Sequence, residues 1–279
     1  MTFACSTAQP CSLLVCTDGS PASQGAMEAA LILARRQPCR IRWLQVLECN
    51  PVFASQVINS IPEWEKEARD NLQALLSRAE AQGLVTEIRV REGEVVYRTI
   101  LAEAEKYQPD LITIGRRGRT ALAGLFMGSV TARIVGLSPF SVLVVPRNSP
   151  LTFHRLLVAI DGSPCSEAAW REAFFLSKSW VSPLLAVSVA QREAEVPVVQ
   201  ENLQKVQGEA DREGVPLDTL LLRGTPSEAI IQAAQARGID LMILGSHGRR
   251  GFKRLIMGSV TEQVIGQARC PVLIAKGQT

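Results

Sequence analysis

The sequence contains few of the residues from which metal centres and all-β cores are usually built. Aromatic residues make up 5% of the 279 residues, the histidines number two (His154 and His247), and no pair among the seven cysteines is spaced C-x-x-C. This pattern excludes the common zinc-binding spacings and a small secreted disulfide framework. With abundant Leu, Val, Ile and Ala, the composition favours buried parallel strands packed between helices over an all-β sandwich.

Concentrated charge and long apolar runs are also missing. Lysine and arginine (30) are interspersed with aspartate and glutamate (27), and the densest basic cluster is the short run Arg116, Arg117 and Arg119. A nucleic-acid-binding surface usually shows a basic stripe, so we expect no nucleic-acid partner. No segment predicts a membrane span or a secretory leader, so we expect a cytoplasmic protein without membrane contact, whose cysteines stay reduced.

The sequence does contain a long internal repeat. Segments 13–21, 111–119, 127–131 and 142–145 return, little changed, at 156–164, 241–249, 257–261 and 272–275. The offset between copies falls from 143 positions at the first segment to 130 at the second, so the second copy lacks about 13 residues near 50–62. A period this long indicates a duplicated domain rather than a solenoid. We predict two domains, 1–148 and 152–279, joined by a short polar, proline-containing linker.

Each copy alternates strands and helices. The patterns of the first copy predict strands at 13–16, 41–47, 85–91, 111–114 and 141–145, and helices at 21–36, 63–82, 95–107 and 129–135. Ser20 suits the N-cap of the first helix, and Pro21 suits its first position. The series predicts an α/β fold in each copy, a doubly wound five-stranded parallel sheet flanked by helices. Ligands of such sheets bind where the strand order reverses, here between the ends of the first and fourth strands at Asp18 and Gly115.

The fourth strand of each copy runs into a glycine-containing loop. The pattern is G-x-x-G, nine residues and G-S, formed by Gly115, Gly118, Gly128 and Ser129, and again by Gly245, Gly248, Gly258 and Ser259. Glycine lets the backbone approach a phosphate, and the helix N-terminus that follows supplies N–H donors and partial positive charge. Such glycines also occur in plain turns, and the serines also suit a helix N-cap. The joint pattern occurs twice, however, and therefore predicts phosphate binding, although it matches neither the P-loop nor the dinucleotide motif.

These motifs together resemble the universal stress protein family, over nearly the whole chain and in two tandem copies. The resemblance implies an adenine nucleotide, ATP, in each copy. It also implies dimers formed through the last strand, so that 141–145 and 271–275 would pair within this chain, with a further homodimer left open.

The resemblance also implies particular roles for residues of both copies. Asp18 and Asp161 would lie near the adenosine, and the backbone of Val46 and Val187 would face adenine. The ribose and phosphate contacts would come from Gly115, Gly118, Gly128, Ser129 and Val130, and from Gly245, Gly248, Gly258, Ser259 and Val260.

Other roles remain open for some of these residues. Asp18 and Asp161 also suit Mg²⁺ binding beside the phosphates, or a simple Asp-Gly-Ser turn, although hydrogen bonding to the nucleoside is favoured. His247 is conceivable as a phosphate donor or general acid, but a hydrogen bond within the loop is favoured.

The two copies differ in the loop itself. The first has Arg116, Arg117 and Ala121 where the second has Ser246, His247 and Gly251. The arginines would add positive charge for a phosphate, whereas Ala121 would stiffen a position that favours positive φ. We therefore expect unequal sites, with the second favoured.

The sequence predicts a stress-linked ATP-binding regulatory protein rather than an efficient enzyme. Its loops lack the P-loop lysine and paired carboxylates that phosphoryl transfer usually requires. A slow ATPase and a scaffold that no longer binds nucleotide are the alternatives.

Overall fold

The computed structural model describes residues 11–49, 61–118, 127–149, 152–248 and 257–277. The strands of the first half are β1 (Cys11–Thr17), β2 (Cys39–Glu48), β3 (Val85–Gly93), β4 (Leu111–Gly115) and β5 (Ser141–Val145). Its helices are α1 (Gln24–Arg36), α2 (Ile61–Glu80), α3 (Val96–Tyr107) and α4 (Ser129–Leu137).

The second half repeats this series. Its strands are β6 (Leu156–Ala159), β7 (Leu184–Ala190), β8 (Leu217–Arg223), β9 (Leu241–Gly245) and β10 (Val272–Ala275). Its helices are α5 (Pro164–Trp180), α6 (Val196–Glu213), α7 (Pro226–Ala236) and α8 (Ser259–Gln267). The connection from β7 to α6 is shorter than that from β2 to α2, which is where the repeat spacing predicts the missing residues.

The ten strands of the described residues form one sheet, in the order β3-β2-β1-β4-β5-β10-β9-β6-β7-β8. The strand pairs within each half are parallel. This confirms the predicted doubly wound α/β fold. The strand order reverses between β1 and β4 and between β6 and β9, and ligands of such sheets usually bind at the carboxyl ends of the strands on either side of the reversal.

Helices cover both faces of the sheet. Side chains of α1, α2, α5 and α6 build one apolar layer, which includes Leu33, Leu72, Phe174 and Val206. Side chains of α3, α4, α7 and α8 build the other, which includes Ile100, Ile134, Ile231 and Val264. Because both faces are covered, the central strands are apolar throughout instead of alternating.

Within the described ranges, none of the helices combines the length and apolar character needed to cross a membrane.

The start of α1 differs from the sequence prediction. The helix begins at Gln24 rather than at Pro21, and its N-cap is Ser23 rather than Ser20. The Ser23 hydroxyl bonds to Thr17 Oγ1 (2.8 Å) and donates to the Ser20 carbonyl (2.8 Å), which holds 20–23 in a separate turn. The predicted start is present in the second half, where α5 begins at Pro164 with Ser163 as its N-cap.

The two halves meet along their last strands. β5 and β10 pair antiparallel, with Leu143 opposite Leu273, and both strands are buried throughout. This is the pairing expected for the two final strands, and it covers two edges that would otherwise invite aggregation. Across the same junction, Lys276 Nζ donates to the carbonyl of Val135 in α4 (2.7 Å).

The buried amine of Lys276 predicts an unusual pH dependence of stability. Lys276 is 9% exposed. Burial lowers the pKa of its ammonium from 10.5 to about 8, and the nearby Cys165 opposes part of that shift. The folded state therefore releases this proton before the unfolded chain does, so between pH 8 and 10.5 the group adds stability as pH rises.

Lys276→Met removes this contribution. Relative to the variant, we expect the wild-type protein to gain about 2 kcal/mol of unfolding free energy between pH 7 and pH 9.5. Urea denaturation at both pH values measures the difference, with Lys66→Met as a control for loss of an exposed charge. Parallel pH profiles for wild type and Lys276→Met would contradict the lowered pKa.

Candidate functional site

Both halves place an Asp-Gly-Ser turn at the carboxyl end of their first strand. Asp18 Oδ1 accepts hydrogen bonds from the backbone N–H (3.0 Å) and the hydroxyl (2.6 Å) of Ser20. Asp161 Oδ1 accepts the equivalent bonds from Ser163, at 2.9 and 2.6 Å. One oxygen of each carboxylate thus has the turn-forming role that the sequence left open.

The second oxygen of each aspartate faces the loop after the fourth strand. A Cβ atom placed on Gly118 would lie 2.8 Å from Asp18 Oδ2, and one on Gly248 would lie 2.7 Å from Asp161 Oδ2. A larger residue at either position would displace the carboxylate, so glycine lets the loop backbone lie against it. In each half the fold brings together the first-strand aspartate and the G-x-x-G loop.

Gly115 and Gly245, the last residues of β4 and β9, pack against the chain that leads into the first helix of their half. A Cβ atom on Gly115 would lie 2.9 Å from the carbonyl oxygen of Ala22, and one on Gly245 would lie 2.6 Å from the carbonyl carbon of Cys165. These two glycines allow close packing of strand and helix beside the loop.

Gly128 and Gly258 close the loop and cap the helix that follows. Their N–H groups donate to the carbonyls of Arg116 (2.9 Å) and Ser246 (3.0 Å). They are the N-caps of α4 and α8, and neither helix receives a side-chain cap from the described residues. The first-turn N–H groups of a helix have no intrahelical acceptor, so each of these termini is suited to an anion.

The residues after each cap divide between solvent and core. Ser129 and Ser259 are exposed at the first helical position. Val130 and Val260 are half-buried and pack on the apolar layer beneath the helix. The serine hydroxyls are therefore available to a ligand, while the valines contribute mainly their backbone.

The structure corrects the pairing of Val46 with Val187. In the sheet, Leu13 lies opposite Ile41 and the repeated Leu156 opposite Leu184, so Val46 corresponds in position to Val189. Val187 is 1% exposed, and its carbonyl accepts a hydrogen bond from Ile160 (2.7 Å). Val46 and Val189 are both half-buried at the carboxyl end of their strands. The spacing agrees with the strand pairing, because Val46 lies 28 positions after Asp18 and Val189 lies 28 positions after Asp161.

The two loops use their variable residues differently. The Arg116 guanidinium donates to the Ala268 carbonyl of the other half (2.8 Å), a contact that the sequence did not predict, and its expected contribution of charge for a phosphate stays a prediction. Burial, and secondarily Arg117, lowers the Arg116 pKa. In the second half, His247 Nδ1 lies 3.2 Å from Ser246 Oγ, which is the loop hydrogen bond expected for it. Ala121 and Gly251 lie outside the described residues.

The model of the universal stress protein family matches residues 12–146 and 152–276. The chain belongs to this family. A universal stress protein of Synechocystis sp. is 28% identical, over 94% of this chain and 98% of its own length. Another, from Methanocaldococcus jannaschii, is 28% identical over 51% of this chain and 94% of its own, and so corresponds to one half.

Solved structures show the same tandem fold. The crystal structure of a universal stress protein from Archaeoglobus fulgidus superposes with a TM-score of 0.80 at 23% identity, covering 95% of this chain and 96% of that one. A structure of a putative universal stress protein from Pseudomonas aeruginosa gives 0.70 at 16% identity, covering 95% and 92%. The two-half architecture is thus shared with other members of the family.

Sequence reasoning also missed two threonines of the site. Thr131 and Thr261 donate from Oγ1 to the carbonyls of Gly115 and Gly245, both at 2.9 Å, and so tie each helix to the end of the fourth strand. Their repetition after Met-Gly-Ser-Val is the signal that identifies them. Among the described residues, no group of three or more His, Cys, Asp or Glu side chains is placed to hold a metal ion.

Proposed function

We propose that this universal stress protein binds an adenine nucleotide, with ATP as the first candidate, at the carboxyl edge of each half. The bound nucleotide would set the state in which the protein acts in a stress response. One observation, made twice, supports the proposal. In each half a helix N-terminus that has no side-chain cap among the described residues, the glycines at the ends of the loop and an aspartate meet where the strand order reverses.

The phosphates would lie at the N-termini of α4 and α8. The first-turn N–H groups there carry the partial positive charge of the helix, and the exposed hydroxyls of Ser129 and Ser259 add one donor each. The N–H groups of Gly128 and Gly258 already bind the loop carbonyls, so they hold the loop closed rather than contact the ligand.

The nucleoside would lie toward the first and second strands. Val46 and Val189 offer half-buried apolar surface beside the sheet edge, which suits a base better than the polar loop does. Asp18 and Asp161, whose carboxylates lie against the loop glycines, would accept hydrogen bonds from nucleoside hydroxyl or amino groups.

Mg²⁺ would fit only together with the phosphates. Each half offers one aspartate, of which Oδ1 is used by the turn, and Mg²⁺ in nucleotide sites commonly takes one or two carboxylates with phosphate oxygens and water. The loop sequences 115–128 and 245–258 contain no Asp or Glu, and among the described residues no group of three or more His, Cys, Asp or Glu could hold a metal ion. We therefore propose binding without efficient turnover.

The test begins with mass spectrometry of small molecules released from the purified, denatured protein, followed by calorimetric titration with ATP, ADP and AMP. We expect an adenine nucleotide, and as many as two sites per chain. If ATP, ADP and AMP neither bind nor raise the melting temperature of the protein, the scaffold alternative is favoured. Phosphate release faster than roughly one per second, within the ordinary enzyme range, would favour the ATPase.

A further inference from the structure

Arg116 connects the loop of the first site to a helix of the second half. Its backbone carbonyl accepts the N–H of Gly128, the N-cap of α4, and so helps to close the first loop. Its guanidinium Nη1 donates to the carbonyl of Ala268 (2.8 Å) and approaches that of Ile265 (3.5 Å). Both carbonyls belong to the C-terminal end of α8, whose N-terminus forms the second site.

Lys276 makes the reciprocal connection. It follows β10 in the second half, and its Nζ donates to the carbonyl of Val135 near the C-terminal end of α4, whose N-terminus forms the first site. Val135 and Ile265 occupy the same position in the repeat. In both α4 and α8, the last turn of the helix therefore accepts a hydrogen bond from a cationic side chain of the opposite half. One of these cations belongs to a loop, and the other follows a strand.

Each of these cations lies at the negative end of a short helix dipole, with the candidate phosphate position at the positive end. α8 spans nine residues, or about 13 Å, so its two ends belong to one short, rigid helix. A cation at the C-terminus of a helix stabilises the helix and holds its axis in place. The position of the axis matters because the first-turn N–H groups must converge on a phosphate for it to bind.

We propose that Arg116 and Lys276 are positioning residues in trans, each holding the helix that forms the nucleotide site of the opposite half. The inference rests on the proposed function, because it concerns binding at those two sites. It assigns Arg116, a residue of the first loop, an effect on ligand binding in the second half. It assigns Lys276, a residue of the second half, an effect on binding in the first.

The experiment measures each site alone in the full-length chain. Gly128→Glu blocks the first site, and in that background Arg116→Met is titrated with ATP by calorimetry. We expect the Kd of the second site to rise threefold to tenfold, as for loss of a helix-end charge, and Arg116→Lys to restore part of it. In the Gly258→Glu background, Lys276→Met should weaken the first site similarly, and Lys276→Arg should restore part of the loss.

Arg133→Met is the matched control, because Arg133 is an exposed arginine of α4 that contacts Tyr97 of its own half (3.4 Å). It should leave the second-site Kd unchanged. Melting temperatures without ligand separate a general loss of stability from altered positioning. If Arg116→Met fails to fold, Arg116→Gln, which lacks the charge and is shorter, replaces it.

The trans-positioning role would be overturned if Arg116→Met left the Kd of the second site, and Lys276→Met left the Kd of the first site, within twofold of the value in the single-site background. Nucleotide binding would still be established by that result. A fall in melting temperature without a change in Kd would overturn it as well. If neither single-site background binds any adenine nucleotide, the proposed function fails and the positioning role fails with it.

Discussion

Replacing Gly258 by glutamate should abolish nucleotide binding in the second half without unfolding it. Gly258 has φ −68, so a side chain brings no backbone strain. A Cβ atom there would meet Ser246 O and His247 Cα at 3.4 Å, which is ordinary contact. The carboxylate would then lie at the N-terminus of α8, where it takes the place of a phosphate and repels the ligand. Juxtaposed like charges cost several kcal/mol, so we expect affinity to fall by about 100-fold or more.

Gly258→Ala separates charge from bulk. It adds the Cβ atom alone, so its affinity should stay close to that of the wild type. Gly128→Glu applies the same change to the first half, where a Cβ atom would meet its nearest neighbours at 3.6 Å. Calorimetry of the two glutamate variants then gives the affinity of each remaining site. Unchanged heat in Gly258→Glu would refute the site, and equal affinities would refute the expected inequality of the halves.

The second large effect concerns folding rather than binding. Gly245→Ala would place a Cβ atom 2.6 Å from the Cys165 carbonyl carbon and 2.7 Å from its oxygen. Both are backbone atoms at the start of α5, so the clash moves the helix relative to the central strand β9. Overpacking of this kind costs about 1–3 kcal/mol and occasionally more, and we expect about 3 kcal/mol of unfolding free energy to be lost.

Urea denaturation measures this loss, with Gly208→Ala as the matched control. Gly208 lies inside α6, and a Cβ atom there would have no neighbour within 4 Å. That control should stabilise the protein by about 0.5–1 kcal/mol, because alanine is the better helix former. Equal stability of Gly245→Ala and wild type would contradict the packing role of Gly245.

The sequence was sufficient for the elements that obey local rules. Apolar runs bounded by glycine and proline located the strands, and the repeated glycine pattern located the loop, in which Gly115 and Gly245 leave no room for a side chain. The start of α1 was predicted wrongly although the contacts that set it are local. Ser23 bonds to Thr17, six positions away, and to Ser20, so that α1 begins after Ser23 and not after Ser20.

The role of Arg116 was unpredictable because its partner is distant in sequence. Its acceptor, Ala268, is 152 positions away, in the other half. The pairing of Val46 with Val187 is a different kind of failure, a miscount, since the 143-position offset between the first strands already leads to Val189. Sequence patterns place residues along an element, whereas contacts between halves follow from the assembled sheet.

The sheet that the two halves share has a consequence for how the halves are paired in a cell. Separate chains that paired through a last strand would exchange partners, so that mixed and identical pairs would coexist. Here β5 and β10 belong to one polypeptide, and a short tether holds the partner strand at an effective concentration in the millimolar range. The two different halves are therefore made and degraded in a fixed one-to-one ratio, and their pairing does not depend on expression level.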